Sequence, residues 1–174
     1  MKVKIMKKRL QLHPLEKEDL SFVYEMHVNP EVSKFWCQEP FTTMTKMEKA
    51  YLASQESDTL REFILMEKNQ RLGFLGLYNI NYRHRHAEFA IMIHPSHQGK
   101  GYAEKASRLL IEYSFNQLNL HKLYLDVVKH NEKAIHIYQK IGFETEGELK
   151  QHYFIDGQYY DSYQMGLLRK DYQN

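Results

Sequence analysis

The feature that most limits how this chain can fold is a run that is apolar on both of its faces. Residues 87–94 read Ala-Glu-Phe-Ala-Ile-Met-Ile-His, and Pro95 stops them. A strand with solvent on one side alternates apolar and polar residues, so a run with almost no alternation needs cover on both sides. It predicts a central strand. Upstream, residues 62–67 form a strand, Asn69-Gln70 a turn, and residues 72–81 a returning strand. Downstream, residues 102–118 carry the longest helical pattern, with Ala103, Ala106, Leu110 and Tyr113 on one face. A strand follows at 122–128. A short helix at 132–140 ends at Gly142, a C-terminal cap. Strands 144–154 and 158–167 close the chain, joined by the hairpin signal Ile155-Asp156-Gly157.

The first sixty residues are less regular. Residues 4–12 alternate loosely and predict a first strand, ended by Pro14. Leu20, Val23, Tyr24 and His27 recur at helical spacing up to about Val28, and Asn29-Pro30 breaks the pattern. A short element holds Val32, Phe35 and Trp36. After Pro40, Met44, Met47, Ala50 and Tyr51 mark another amphipathic helix. A strand, two helices, a three-strand meander, then helix, strand, helix and hairpin make a mixed α/β sheet. No linker or repeat interrupts the 174 residues, so one domain spanning 1–174 is expected.

Composition narrows the function classes. Hydrophobic residues make up 43% and charged residues 26%, a globular balance. The net charge of +2 and the absence of a long basic run argue against nucleic acid as a partner. No stretch approaches the ~20 apolar residues of a membrane helix, and residues 1–12 are too polar for a signal peptide. A cytoplasmic protein with no membrane partner is expected. Cys37 is the only cysteine, so no intrachain disulfide forms. His84, His86, His94 and His97 lack the carboxylates and spacing of a metal site, and none is expected.

The most informative stretch is His94-Pro95-Ser96-His97-Gln98-Gly99-Lys100-Gly101-Tyr102-Ala103, between a buried strand and a long helix. Glycines let backbone approach a bulky ligand. The free N–H groups and dipole at the helix start attract an anion, which suits a pyrophosphate. The dinucleotide fingerprint needs a third glycine or alanine where Glu104 stands, and a Walker loop needs Ser or Thr after Lys100, where Gly101 stands. Neither nucleotide motif fits. The second motif is Asn131-Glu132-Lys133-Ala134-Ile135-His136-Ile137-Tyr138-Gln139-Lys140-Ile141-Gly142-Phe143. Asn131 can cap this helix. Ala134 and Tyr138 share a face, four residues apart.

Gln98-x-x-Gly101-x-Ala103 resembles the coenzyme A pyrophosphate loop of the GNAT acetyltransferases, and the Asn131–Phe143 pattern resembles their second motif. Phe154 to Tyr159, Glu146-Gly147-Glu148-Leu149 and Arg85-His86-Ala87-Glu88-Phe89 are similar to bacterial spermidine N-acetyltransferases. The resemblance implies the GNAT fold: a mixed, mostly antiparallel central sheet, splayed at the acetyl-CoA site and flanked by helices. It implies acetyl-CoA as cosubstrate, a polyamine acceptor and assembly into homo-oligomers. Implied cofactor contacts are Ile91, Met92, Ile93, Gln98, Gly99, Lys100, Gly101, Tyr102, Ala103, Glu104, Asn131, Lys133, Ala134, Ile135, Tyr138 and Lys140. Implied substrate contacts are Gln38, Glu39, Glu88, Phe89 and Ala90. Where the family has acids, this chain has Gln38, Lys46, Ser57, Leu60, Gly76 and Asn79, which weakens a polycation site.

The chemistry assigns three roles. An alkyl ammonium of pKa ~10.4 must lose a proton before it can attack. Glu88 is the candidate base, directly or through water. The oxyanion needs a backbone donor, which the resemblance implies on a bulged strand near Met92. Tyr138 returns a proton to the leaving thiolate. Acetylation of a protein amine, and a non-catalytic polyamine or coenzyme A sensor, are the competing readings. Retention of Tyr138 argues against the sensor.

Overall fold

In the computed structural model, residues 10–35, 39 and 41–172 are described. The expected strand at 4–12 falls mostly outside them, as do Trp36, Cys37 and Gln38. Among the described residues, seven strands form one sheet: β1 (Gln11–Pro14), β2 (Arg61–Glu67), β3 (Gln70–Asn81), β4 (His86–Ile93), β5 (Lys122–Val128), β6 (Glu144–Ile155) and β7 (Gln158–Leu168). Their spatial order is β1-β2-β3-β4-β5-β7-β6. Every neighbouring pair is antiparallel except β4 with β5. The helices are α1 (Leu20–Val28), α2 (Pro30–Ser33), α3 (Met44–Gln55), α4 (Tyr102–Asn116) and α5 (Glu132–Lys140). This is the mixed, mostly antiparallel sheet flanked by helices that the resemblance implies.

Alternation along the strands sorts the core into two layers. Phe63 and Leu65 of β2, Ala87 and Phe89 of β4, and Leu123 and Leu125 of β5 pack with Ala106, Leu110 and Ile111 of α4. On the opposite face, Ile64, Phe74 and Met92 pack with Leu20, Val23 and Met26 of α1. β4 is therefore covered on both sides, as its sequence requires. Helix α3 lies at the margin: none of its residues is fully buried, though Met44, Met47 and Tyr51 pack against the second layer.

Several boundaries differ from the sequence reading. Pro14 does not end the first strand before it pairs. It is the last residue of β1 and sits opposite Phe63 on an edge strand, where its missing N–H costs no ladder bond. The turn after β2 is Lys68-Asn69, not Asn69-Gln70. Both residues have positive φ (50° and 66°), the two-residue geometry that matches strand twist. Asp156 and Gly157 turn the β6–β7 hairpin in the same way, with φ of 48° and 82°. Helix α4 stops at Asn116 rather than 118.

β4 and β5 pair only through His86↔Lys122, Ala87↔Leu123 and Glu88↔Tyr124. Beyond that point residues 89–93 and 125–128 run on without pairing with each other. The sheet is split here, and a groove of about 1460 Å³ opens through the split.

Candidate active site

Both sequence motifs converge on the split. The loop after β4 reaches α4 through Gly99 (φ 72°) and Gly101 (φ 75°), left-handed conformations that favour glycine. A Cβ at either would meet no protein atom within 4 Å. Conformation, and not packing within the chain, demands these glycines. Gly101 caps α4 without a side chain, and the Lys105 N–H is the one that returns to its carbonyl, at 3.4 Å. The N–H groups of Tyr102, Ala103 and Glu104 belong to the first turn, which no intrahelical carbonyl can serve. Gln98, Gly99, Gly101, Tyr102, Ala103 and Glu104 all border the groove. Gln98 also anchors the loop, its Nε2 donating to the Ile93 carbonyl at 3.1 Å.

Helix α5 forms the opposite lip. Asn131 Oδ1 accepts from the Ala134 N–H at 3.3 Å and so caps the helix. Gly142, with φ of 107°, follows its C-terminus. Asn131, Lys133, Ala134 and Tyr138 border the groove. The Tyr138 ring meets Phe89 edge-on at 6.3 Å between centroids and Phe143 at 5.8 Å. Its ring is half-buried and borders the groove, and desolvation pushes its pKa up to about 12.

Three expected cofactor contacts stand apart. Ile135 is half-buried against the core under α4. Lys100 is exposed, and its Nζ donates to the Ser96 carbonyl at 2.7 Å. Lys140 Nζ donates to Glu104 Oε2 at 2.7 Å, so this pair ties α5 to α4. Lys140, and secondarily Arg108, hold the Glu104 carboxyl below its ordinary range.

The strand edge departs from expectation at Met92. The register from Tyr78↔Glu88 to Gly73↔Ile93 is unbroken, and the irregularity lies instead in β3, between Tyr78 and Asn81. The His94 N–H donates to the Leu72 carbonyl at 3.0 Å. Antiparallel bonds alternate, so two residues earlier the Met92 N–H belongs to the Phe74 carbonyl. Met92 does not offer a free donor, and its side chain is 3% exposed in the α1 layer. Ile91 and Ile93 instead direct their N–H and C=O groups toward the split.

The two sides of the split carry different chemistry. Phe89 and Tyr138 lie on the α4 face. Even-numbered residues of β4 face the other way, so Glu88 and Ala90 border the groove on the α3 side. Asn79 Nδ2 donates to Glu88 Oε2 at 2.9 Å. Glu39 also borders the groove, whereas Gln38 lies outside the described residues. Two acids missed by the sequence reading join them. Glu62 accepts from the Tyr78 hydroxyl at 3.4 Å, and burial raises its pKa, opposed by hydrogen bonds from Ser54 and Tyr78. Asp126 is likewise raised by burial, opposed by His152 and Gln164. Burial first, then the Glu88 charge, raises the Tyr124 phenol. Nothing local in the sequence marks Glu62 or Asp126. Only the order of strands brings them to Glu88.

Among the described residues, no group of three or more His, Cys, Asp or Glu is arranged to hold a metal ion. None of their helices is long and apolar enough to cross a membrane.

Comparison with known proteins places the chain. Residues 9–144 match the model of the acetyltransferase (GNAT) domain. The chain is 42% identical over 163 residues to the spermidine N(1)-acetyltransferase of Escherichia coli K12, covering 94% of this chain and 88% of that protein. It is 39% identical over 170 residues to the spermidine N(1)-acetyltransferase of Vibrio cholerae, covering 97% and 98%. The crystal structure of the Vibrio cholerae spermidine N-acetyltransferase with CoA and spermine superposes with a TM-score of 0.92 at 38% identity, over 95% of this chain and 98% of that one. The split sheet, the glycine loop and these matches together make this chain a member of the GNAT acetyltransferase family, an N-acetyltransferase that uses acetyl-CoA.

Proposed function

We propose that the acceptor is a polyamine, spermidine or spermine, acetylated on a primary amine. The observation that carries this reading is 39–42% identity to two spermidine N(1)-acetyltransferases over 88–98% of their length. The acceptor side of the groove supports it. Glu39, Glu62, Glu88 and Asp126 border it, and carboxylates are what attract a polycation.

The cofactor enters from the α4 side. Its pyrophosphate rests on N–H groups between Gly99 and Glu104, and its pantetheine runs along the free edge at Ile91 and Ile93. The amine arrives from the α3 side and meets the thioester in the split. Glu88 takes the ammonium proton, directly or through one water. The amine nitrogen then bonds to the thioester carbon. The Ile91 N–H, which faces the split, replaces Met92 as the backbone donor to the oxyanion. The C–S bond breaks, and Tyr138 gives its proton to sulfur. With a pKa of about 12, the phenol stays protonated at neutral pH. The nitrogen sheds its second proton as it becomes an amide, and the tyrosinate, a stronger base than a thiolate of pKa ~8.5, takes that proton up. We extend the reading to a homo-oligomer, consistent with Phe154 and Tyr159 standing 62% and 65% exposed at the hairpin tip.

The test is thiol release from acetyl-CoA with spermine, spermidine, and lysine or N-terminal peptides, at low and moderate salt. Turnover of either polyamine, with a KM that rises with ionic strength, is expected. A peptide used far better than both overturns the polyamine acceptor in favour of a protein amine.

A further inference from the structure

Among the described residues, no cation is paired with the Glu62 carboxylate. It stands on β2 directly opposite Gly76 of β3, which is opposite Ala90 of β4. Its side chain borders the acceptor half of the groove. Its hydrogen-bond partners, Tyr78 and Ser54, are both neutral. The nearest cation in sequence, Arg61, points to the other face of β2. Its Nη1 is bound to the carbonyls of Ser57 (3.0 Å) and Leu60 (2.6 Å). Half-burying an unpaired carboxylate is unfavourable unless something compensates it.

The surroundings hold this carboxylate in place. A Cβ on Gly76 would collide with Cε2 of the Tyr78 ring. The missing side chain at Gly76 is what lets that ring lie across β3 and carry its hydroxyl to Glu62. Glu88 is held by the same strand, through Asn79. Two strand spacings and two residues of rise separate the Glu62 and Glu88 backbones, roughly 12 Å in all. Side chains reaching inward shorten this to the span of a linear polyamine.

We propose that Glu62 is a specificity-determining residue that binds the aminium of the acceptor not undergoing acetylation, while Glu88 serves the reacting amine. This rests on the polyamine reading. It assigns preference for a di- or polycation to a residue contributed by β2, outside both sequence motifs.

Steady-state kinetics of wild type, Glu62→Gln and Glu62→Asp, with spermidine and with butylamine, test it. Butylamine has no second aminium. Glu62→Gln is expected to raise the spermidine KM about tenfold, with kcat and the acetyl-CoA KM within about twofold of wild type. Butylamine is expected to be processed equally, or equally poorly, by both. Glu62→Asp keeps the charge and recovers part of the loss. Tyr78→Phe, which removes only the supporting hydroxyl, shifts the spermidine KM the same way by less. An unchanged spermidine KM in Glu62→Gln overturns the assignment. So does an equal loss for butylamine and spermidine. A wild-type enzyme that uses neither spermidine nor spermine overturns the polyamine reading itself, and this inference with it.

Discussion

The two halves of the groove are built by different means. The cofactor half, between the glycine loop and α5, is made of backbone groups and residues close in sequence. Gly99, Gly101 and the first turn of α4 form one continuous segment, and Asn131, Ala134 and Tyr138 form another. The acceptor half is made of carboxylates from separate strands: Glu62 on β2, Glu88 on β4 and Asp126 on β5. In the function proposed above, backbone groups recognise what every family member shares, the cosubstrate. Side chains from distant strands can change one at a time. Lys46, Ser57, Leu60 and Asn79 border the groove without a carboxylate, while Glu62 and Asp126 supply charge to it.

That contrast breaks first at Tyr138, which bridges the halves. Tyr138→Phe keeps the ring against Phe89 and Phe143 and removes the donor. A kcat loss of ~10²–10⁴-fold is expected, with acetyl-CoA affinity nearly unchanged. An unaltered kcat would reduce Tyr138 to a packing residue. On the acceptor side, Glu88→Gln removes the base candidate and a charge together. It should lower kcat/KM for the polyamine by roughly tenfold or more while leaving the acetyl-CoA KM alone. A matched rise in the acetyl-CoA KM would show that the two halves are not separable.

On the cofactor side, Gly101 has a positive φ of 75°, so a larger residue there acts on folding as well as on binding. Left-handed backbone costs roughly 1–2 kcal/mol in any residue bearing a Cβ. Gly101→Ala should therefore lower thermal stability as well as weaken acetyl-CoA, without moving the polyamine KM. A melting temperature equal to wild type would refute the backbone argument.

The smallest effect concerns pH and Glu62. Its folded-state pKa is raised by burial, so ionisation destabilises the free protein as pH rises from the ordinary carboxyl range through the raised value. Below that range both states are protonated and no difference exists. Glu62→Gln should match wild-type stability at low pH and exceed it near neutrality, measured by thermal melts across pH. Saturating spermidine should shrink the gap. A gap that widened toward acid pH would reverse the sign and the explanation.

How much of this was legible beforehand follows the same division. Residues 87–94 announced a doubly covered strand, and the Gln98–Ala103 and Asn131–Phe143 patterns announced the two segments that border the groove, because each is a local signal of period, glycine or cap. Turn positions slipped by one residue at Lys68-Asn69, since a lysine with positive φ has no sequence mark. Met92 was misjudged because hydrogen-bond parity depends on the partner strand. Glu62 was invisible as a site residue because its meaning comes from standing opposite Gly76, a pairing that exists only once β2 and β3 align.

The split between β4 and β5 also sets the pace of exchange along one strand. Main-chain hydrogens of Ile91 and Ile93 face the gap, while that of Met92 is locked to Phe74. In protein free of acetyl-CoA, deuterium should enter Ile91 and Ile93 quickly and Met92 slowly, an alternation with a period of two inside a strand that is buried on both faces. A bound pantetheine arm, with amides of its own, would act as a partial eighth strand and erase the alternation. The fastest and slowest amides of the sheet's centre would then be adjacent residues, and the difference between them a direct gauge of cofactor occupancy.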